Sequence, residues 1–276
     1  MHNKPKGALI IIGGHEDKEG DQEILKEVAR RARRASGRIV VVTVASQEPQ
    51  ELADEYRAVF SELGVKRVDV LDIRTRDDAC DERNIEKLAG APVVFFTGGD
   101  QLRITSQIGD SKVFRCMREI YLKGSTIVGT SAGAAAMPET MLNGGPSDES
   151  PRLSSLVMAP GLAFISGVVI DSHFAERGRI GRLLGVVAQN PRNLGIGIDE
   201  DTAIIVESND CFRVIGSGAI YVLDGMDVSY SSLSEENRDS VISIDNVRLH
   251  VLSNGDHFDL TERRPLREAP KSDVAS

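Results

Sequence analysis

The chain has 276 residues, of which 41% are hydrophobic and 27% are charged, a composition typical of a globular protein with a large core. Its formal net charge of −9 argues against non-specific nucleic-acid binding, and no apolar run is long enough to predict a membrane-spanning helix. Three scattered cysteines without metal-ligand spacing, and an N-terminus without a signal-peptide pattern, favour a cytoplasmic protein.

Apolar runs alternate with amphipathic segments from residue 8 onward. The uninterrupted apolar run 8–12 predicts a buried parallel strand. Further strands are predicted at 38–45, 66–73, 92–96 and 126–128, and helices at 22–35, 49–63, 82–88, directly after 101 and at 111–123. This alternation predicts an α/β fold, with a doubly wound, mostly parallel sheet sandwiched by helices.

The second half of the chain contains shorter segments. Strands are predicted at 168–170, 194–198 and 202–206, antiparallel strands with glycine turns at 212–215 and 219–223, and a hairpin around Asn254-Gly255. A helix carrying three arginines is predicted between 174 and 190, and the Gly/Pro/Ser-rich stretch 143–152 predicts a mobile loop. We expect one α/β catalytic domain over 1–262 and a disordered tail over 263–276.

The most distinctive pattern lies in residues 126–137. A β-branched run meets a Gly-x-Ser-x-Gly sequence and then a run of alanines, which predicts a strand-to-helix turn with Ser131 at its tip. The flanking Gly129 and Gly133 allow a strained backbone and a close approach of helix and strand. Ser131 could then act as a nucleophile, and the N–H of Ala132 could form half of an oxyanion hole. The alternative is a turn that serves packing, or an anion site at a helix N-terminus.

A serine nucleophile needs a base, and His173 and His15 are the candidates. Each follows a predicted buried strand, and such strand ends gather at one edge of a parallel sheet. The polar residues Asp171 and Ser172 before His173 favour that position. A carboxylate must orient the imidazole, and the acidic turn 199–201 offers three. Because successive strand residues face opposite ways, one of the three carboxylates should differ in direction from the others, and the residues alone do not choose among them.

Two further groups could complete a site. The turn 98–100 could supply a second oxyanion donor, the N–H of Gly99, because glycine lets the main chain approach a ligand closely. The alternative is a tight turn without function. Arg177, Arg179 and Arg182 near His173 suit bidentate recognition of a carboxylate, and the alternative is a solvated surface.

Four motifs together resemble the cyanophycinase family. They are Phe96-Thr97-Gly98-Gly99-Asp100-Gln101, Gly129-Thr130-Ser131-Ala132-Gly133-Ala134, Asp171-Ser172-His173-Phe174 and Gly195-Ile196-Gly197-Ile198-Asp199-Glu200. That family belongs to the serine peptidases related to aspartyl dipeptidase (peptidase E), with a flavodoxin-like fold similar to class I glutamine amidotransferases. The resemblance extends from the first strand to about residue 223.

The resemblance implies that Ser131 is the nucleophile, His173 the base and Glu200 the acid. It also implies that a group of polar side chains shapes the substrate pocket, namely Gln101, Asp171, Arg177, Arg179 and Arg182. The substrate would be cyanophycin, a poly-aspartate with arginine on each side-chain carboxyl, which a homodimer would cut to β-aspartyl-arginine dipeptides from the chain end. The arginines would hold substrate carboxylates, and Asp171 or another acid would receive the guanidinium. Neither a metal nor a cofactor is expected.

Two other functions are compatible with the sequence. One is an aspartyl or isoaspartyl dipeptidase that acts on short acidic peptides. The other is a non-catalytic α/β protein that binds an anion at the loops around residues 98 and 129. This second function leaves the motifs at His173 and Glu200 unexplained.

Overall fold

The computed structural model describes residues 7–145, 150–152, 156–207, 210–234 and 240–267. The helices are α1 (Glu23–Arg33), α2 (Pro49–Glu62), α3 (Glu82–Leu88), α4 (Gln101–Ile108), α5 (Lys112–Lys123), α6 (Ala132–Ala135) and α7 (Ile180–Gln189). The strands are β1 (Leu9–Ile12), β2 (Arg38–Val42), β3 (Arg67–Leu71), β4 (Val93–Phe96), β5 (Thr126–Thr130), β6 (Thr140–Gly144), β7 (Val157–Pro160), β8 (Val168–Ser172), β9 (Leu194–Ile198), β10 (Thr202–Val206), β11 (Cys211–Gly216), β12 (Ile220–Asp224), β13 (Tyr230–Ser231), β14 (Ile244–Asp245), β15 (Arg248–Leu252), β16 (His257–Asp259) and β17 (Arg264–Leu266). Across these ranges, no helix combines the length and the apolar character needed to cross a membrane.

Nine strands form the main sheet, in the order β17-β16-β11-β10-β1-β5-β4-β2-β3. The strands from β1 to β3 in this order are parallel, and the other four are antiparallel to their neighbours. Strands β1 and β4 are buried along their whole length, as their uninterrupted apolar sequences predict. Because parallel strands end at the same edge, Gly13, Gly98 and Ser131 come together there.

Layers of structure cover both faces of this sheet, which confirms the predicted α/β fold. On one face, Phe60 of α2 packs with Ile10 in a core that also includes α1. The other face carries α3 to α6 and a second sheet of four strands, in the order β15-β12-β9-β8. Ile170 of the second sheet shares one apolar cluster with Ile11 of the first, and α7 covers the outer side of the second sheet through Leu183.

The second sheet refines the predicted topology, which placed the parallel strands in one sheet. Strands β8 and β9 are parallel, whereas β12 and β15 are antiparallel to their neighbours. The chain therefore enters the second sheet after β5 and α6, and it crosses between the sheets through short connections at 199–201, at 217–219 and at 253–256. The hairpin predicted around Asn254-Gly255 is wrong, because β15 pairs with β12 while β16 pairs with β11.

Other boundaries also differ from those predicted. Helix α7 begins at Ile180, with Arg179 as its N-cap residue, because Gly178 adopts a φ of 60° that a helix does not allow. Arg177 and Arg179 therefore precede the helix, and only Arg182 is helical. Strands β6 and β7 were not predicted. The predicted mobile loop 143–152 overlaps the end of β6, and its residues 146–149 lie outside the described part of the chain.

The chain terminus differs from the prediction as well. Arg264–Leu266 forms β17 and pairs with β16, so the tail predicted from residue 263 begins too early. Residues 268–276 lie outside the described ranges. The assignment of 1–262 to a single domain stays a prediction.

Candidate active site

Ser131 occupies the sharp turn between β5 and α6. Its φ of 52° and ψ of −110° are unusual for a residue other than glycine, as the elbow motif predicts. Its N–H donates to the carbonyl of Ile12 at 3.0 Å, which fixes the turn to β1. A Cβ added to Gly129 would lie 2.5 Å from the backbone of Gly133, so the close helix–strand approach requires glycine. The turn therefore presents the serine hydroxyl at the edge where the parallel strands end.

His173 follows β8 of the second sheet and is only 4% exposed. Its N–H donates to the carbonyl of Gly13 at 2.9 Å, and a Cβ on Gly14 would collide with its ring. The glycine pair after β1, which the sequence showed only as a turn, is thus shaped to receive this histidine. The Nε2 atom of His173 lies 2.7 Å from Oγ of Ser131.

The acidic turn between β9 and β10 separates its three carboxylates. Oε1 of Glu200 lies 2.6 Å from Nδ1 of His173. Asp199 and Asp201 instead accept backbone N–H groups from neighbouring loops, at 2.8 to 3.1 Å. Glu200 therefore faces the imidazole while its two neighbours brace the crossing between the sheets.

The surroundings of His173 favour its neutral form. Burial lowers the pKa of the imidazole below its usual value of 6.5, and the positive charges of Arg177 and Arg179 lower it further, while the hydrogen bond to Glu200 acts in the opposite direction. A neutral imidazole whose Nδ1–H points to Glu200 leaves Nε2 free to accept the proton of Ser131.

His15, the competing base in the sequence, occupies a different position. Its side chain is 71% exposed, and its Nε2 lies 3.8 Å from Oε1 of Glu200. Its ring meets the ring of His173 edge-on, with 5.4 Å between the centroids. The histidine in hydrogen-bonding distance of Ser131 is therefore His173.

A cavity of about 250 Å³ opens beside the serine. Its walls include every residue that the sequence proposed for the oxyanion hole and the pocket, namely Gly99, Ala132, Gln101, Asp171, Arg177, Arg179 and Arg182. A larger open groove of about 620 Å³ lies elsewhere, between α1 and the end of α2, and is lined mainly by glutamate, lysine and arginine side chains.

Asp171 organises the arginines of the cavity. Its carboxylate is 1% exposed and accepts from Nε of Arg182 at 2.6 Å, from a second nitrogen of Arg182, and from Nη1 of Arg179 at 3.2 Å. The suggestion that Asp171 could receive a substrate guanidinium is therefore a poor fit, since both of its oxygens already pair with protein arginines. Asp171 holds the arginines in place instead.

The cavity is electropositive, because three arginines face one carboxylate. Arg179 remains cationic at neutral pH even though burial lowers its pKa to about 10. Among the described residues, no partner satisfies the buried Nε of Arg179. The positive charge of the cavity suits an anionic ligand, above all a carboxylate.

Gln101 connects the cavity to the strand beside it. Its amide nitrogen lies 3.2 Å from the carbonyl of Leu142 and 3.3 Å from that of Asn143, both in β6. Arg182 similarly donates to the carbonyl of Gly145 at 3.2 Å. The two side chains therefore fix the end of β6 and the adjoining Gly145 against the cavity.

Glu16 is a buried residue at the site that the sequence did not single out. It is 3% exposed and accepts from the hydroxyl of Thr130 at 2.6 Å and from that of Tyr56. Thr130 directly precedes Ser131, so Glu16 connects the loop after β1, helix α2 and the serine turn. The available signal was a polar His-Glu-Asp sequence directly after the glycines that end a buried strand.

Comparisons with known proteins show the family to which the chain belongs. Residues 9–214 match peptidase family S51. The chain is 38% identical over 262 residues to the cyanophycinase of Trichormus variabilis, covering 95% of this chain and 88% of that protein. It is 37% identical over 262 residues to the cyanophycinase of Geminocystis herdmanii, with 95% and 96% covered. A solved peptidase from an acI-B1 actinobacterium superimposes with a TM-score of 0.71 at 19% identity, over 93% of this chain and 98% of that one, which supports the fold alone. The chain therefore belongs to peptidase family S51, and it is a serine-type peptidase.

Proposed function

We propose that this peptidase is an exopeptidase that hydrolyses cyanophycin to β-aspartyl-arginine dipeptides. The observation that carries the proposal is the hydrogen-bonded chain Ser131–His173–Glu200, with separations of 2.7 and 2.6 Å, beside an arginine-lined cavity. The substrate is supported by 37% to 39% identity to cyanophycinases over nearly the whole chain.

The proposed mechanism is acyl transfer to the serine. Nε2 of His173 takes the hydroxyl proton as Oγ of Ser131 attacks the scissile carbonyl, while Glu200 holds Nδ1–H and stabilises the imidazolium. The N–H groups of Ala132 and Gly99 hold the oxyanion. His173 then protonates the leaving amine, and it later activates the water that hydrolyses the acyl-enzyme.

The charge of the cavity supports recognition of the substrate's carboxylates. Every arginine attached to cyanophycin carries a free α-carboxylate, and a guanidinium can bind a carboxylate through two parallel hydrogen bonds. Arg177 is exposed, and Arg179 is buried with an Nε that has no hydrogen-bond partner among the described residues. Arg182 is held by its hydrogen bonds to Asp171. We assign Arg177 and Arg179 the direct contacts to the substrate, and Arg182 a supporting one.

Digestion of insoluble cyanophycin, followed by mass analysis of the soluble products, tests the proposal. We expect the β-aspartyl-arginine dipeptide as the soluble product from the earliest time points, since an exopeptidase works from a chain end. Early release of long fragments would contradict the exopeptidase mode. The Ser131→Ala variant should release dipeptide at least about 10³-fold more slowly.

The same cavity gives support to a second candidate, a dipeptidase that acts on short acidic or isoaspartyl peptides, because these also present carboxylates to arginines. Hydrolysis of such peptides without any release from cyanophycin would favour this second activity.

We also propose that the protein acts in the cytoplasm as a homodimer. The composition supports the first statement, and the second rests on the resemblance of the sequence motifs to the cyanophycinase family. A sedimentation experiment that finds one chain per particle at micromolar concentration would overturn the dimer.

A further inference from the structure

We propose that His15, His173 and Glu200 form a binding site for a divalent transition metal such as Zn²⁺, which reversibly blocks the active site. Each residue offers one ligand atom, and the three atoms lie within 4.8 Å of one another. Oε1 of Glu200 is 2.6 Å from Nδ1 of His173 and 3.8 Å from Nε2 of His15. The blocking effect rests on the proposed catalytic role of His173, whereas metal binding does not.

The ligand set matches zinc chemistry. Two imidazole nitrogens and one glutamate oxygen are a common set for a zinc ion that keeps a fourth position open. Tetrahedral bonds of the usual length place ligand atoms about 3.3 Å apart, so the separations of 2.6 and 3.8 Å lie on either side of that distance. Small movements can therefore close the site around an ion.

His15 has the freedom to make such a movement. Its side chain is 71% exposed, while that of His173 is 5% exposed and that of Glu200 is 30% exposed. A metal can therefore approach from solvent on the His15 side, and that side leaves room for water as the fourth ligand. Buried His173 stays in place.

The charges around the site partly balance. Arg177 and Arg179 place positive charges near His173 and oppose a cation. Glu176 places a carboxylate at the same turn, where its Oε1 accepts the N–H of Glu200 at 3.1 Å. The site therefore keeps two carboxylates close to the metal position.

Metal binding at Nδ1 would stop catalysis without touching Ser131. The ion would take the place of the proton on Nδ1, which leaves to solvent, and Nε2 would take up one proton from solvent in exchange, so the imidazole stays neutral and keeps one ring proton. A neutral imidazole with metal on Nδ1 carries its hydrogen on Nε2, so it cannot accept the proton of Ser131. The metal keeps its oxidation state throughout, and a chelator should restore activity.

Calorimetric titration of chelator-treated protein with Zn²⁺, together with the visible absorption of bound Co²⁺, tests the binding site directly. The informative variant is His15→Asn, because asparagine tolerates the φ of 45° at this position. We expect its Zn²⁺ affinity to fall by more than about tenfold. His257→Asn, which removes a histidine in β16, is the matched control and should bind as the wild type does. Ser131→Ala should also retain binding, because it leaves all three ligands in place.

Measurement of peptidase activity at increasing Zn²⁺ concentration tests whether the bound metal inhibits catalysis. The concentration of Zn²⁺ that halves peptidase activity should rise in His15→Asn by the same factor as the dissociation constant. Equal Zn²⁺ affinity of wild type and His15→Asn would overturn the proposed metal site. Binding of Zn²⁺ without loss of peptidase activity would overturn the proposed inhibition. Lack of activity in metal-free wild type would count against the proposed function, while the calorimetry and the Co²⁺ spectrum would still decide on the site.

Discussion

At the scale of single residues, His173 joins the two sheets of the molecule. Its Nε2 lies 2.7 Å from Oγ of Ser131, which follows β5 of the main sheet. Its Nδ1 lies 2.6 Å from Oε1 of Glu200, in the crossing between the two sheets. Its backbone is tied to the loop after β1. Both ring nitrogens are thus committed to partners, which fixes the orientation that a general base requires.

The lowered pKa of His173 predicts a pH profile. The value of kcat/KM should fall as pH drops through this pKa, because a protonated imidazole cannot accept the serine proton. Since burial lowers the pKa, the midpoint should lie below pH 6.5. Arg177→Gln removes a positive neighbour that lowers the pKa, so its midpoint should move upward whatever it does to substrate affinity. A wild-type midpoint above 6.5, or a downward shift in Arg177→Gln, would count against this view of the base.

The sequence carried different amounts of information about these residues. Ser131 could be proposed from its own neighbours, because an elbow is local. His173 competed with His15, and the choice of Glu200 came from the family resemblance, since an orienting acid is defined only by spatial contact. Glu16 could not be found, because its partners Tyr56 and Thr130 are 40 and 114 residues away.

At the scale of secondary-structure elements, the crossings between the sheets create the site. The chain leaves β9 of the second sheet and enters β10 of the main sheet through residues 199–201. The next crossing, at 217–219, lies alongside, and Ala219 donates to Asp199 while Ser217 donates to Asp201. These bonds hold Glu200 at the junction between the sheets.

Alternation of strands and helices predicted the individual elements well, because burial on one or both faces leaves a local pattern. It did not show that β8, β9, β12 and β15 leave the main sheet. The apolar pattern of a strand is the same in either sheet, and the pairing partner is set by contacts far along the chain.

Glu16 connects three elements and yields a prediction at this scale. In Glu16→Gln, an amide NH₂ faces one of the two hydroxyls that now donate to the carboxylate, which weakens the support beneath the serine turn. We expect kcat to fall by about 10- to 100-fold with little change in KM, since small displacements of catalytic groups are costly. Glu51→Gln, at an exposed position of α2, is the control. A lower Tm with unchanged kcat would make Glu16 a purely structural residue.

At the scale of the whole molecule, the two sheets share one core. Ile11 and Phe96 of the main sheet belong to the same apolar cluster as Ile170, Ile196 and Val222 of the second sheet. Neither sheet could keep its inner face buried without the other. The single domain predicted for residues 1–262 is consistent with this continuity.

Thermal unfolding should therefore be one cooperative transition. Far-UV circular dichroism and intrinsic tyrosine fluorescence should give coincident curves, and the calorimetric enthalpy should equal the van't Hoff enthalpy. Two separate transitions would show that the second sheet is an independent unit, and would contradict the single-domain prediction.

The central claim is that Ser131 is a nucleophile activated by His173 and Glu200, and covalent labelling with a fluorophosphonate tests it most directly. Peptide mass spectrometry of the labelled wild type should find one adduct, on Ser131. Labelling should be lost in Ser131→Ala, and it should slow by about 10²-fold or more in His173→Gln and in Glu200→Gln, because the base or its orientation is removed. An adduct on another residue, or labelling of Ser131 at the wild-type rate without His173, would contradict the account.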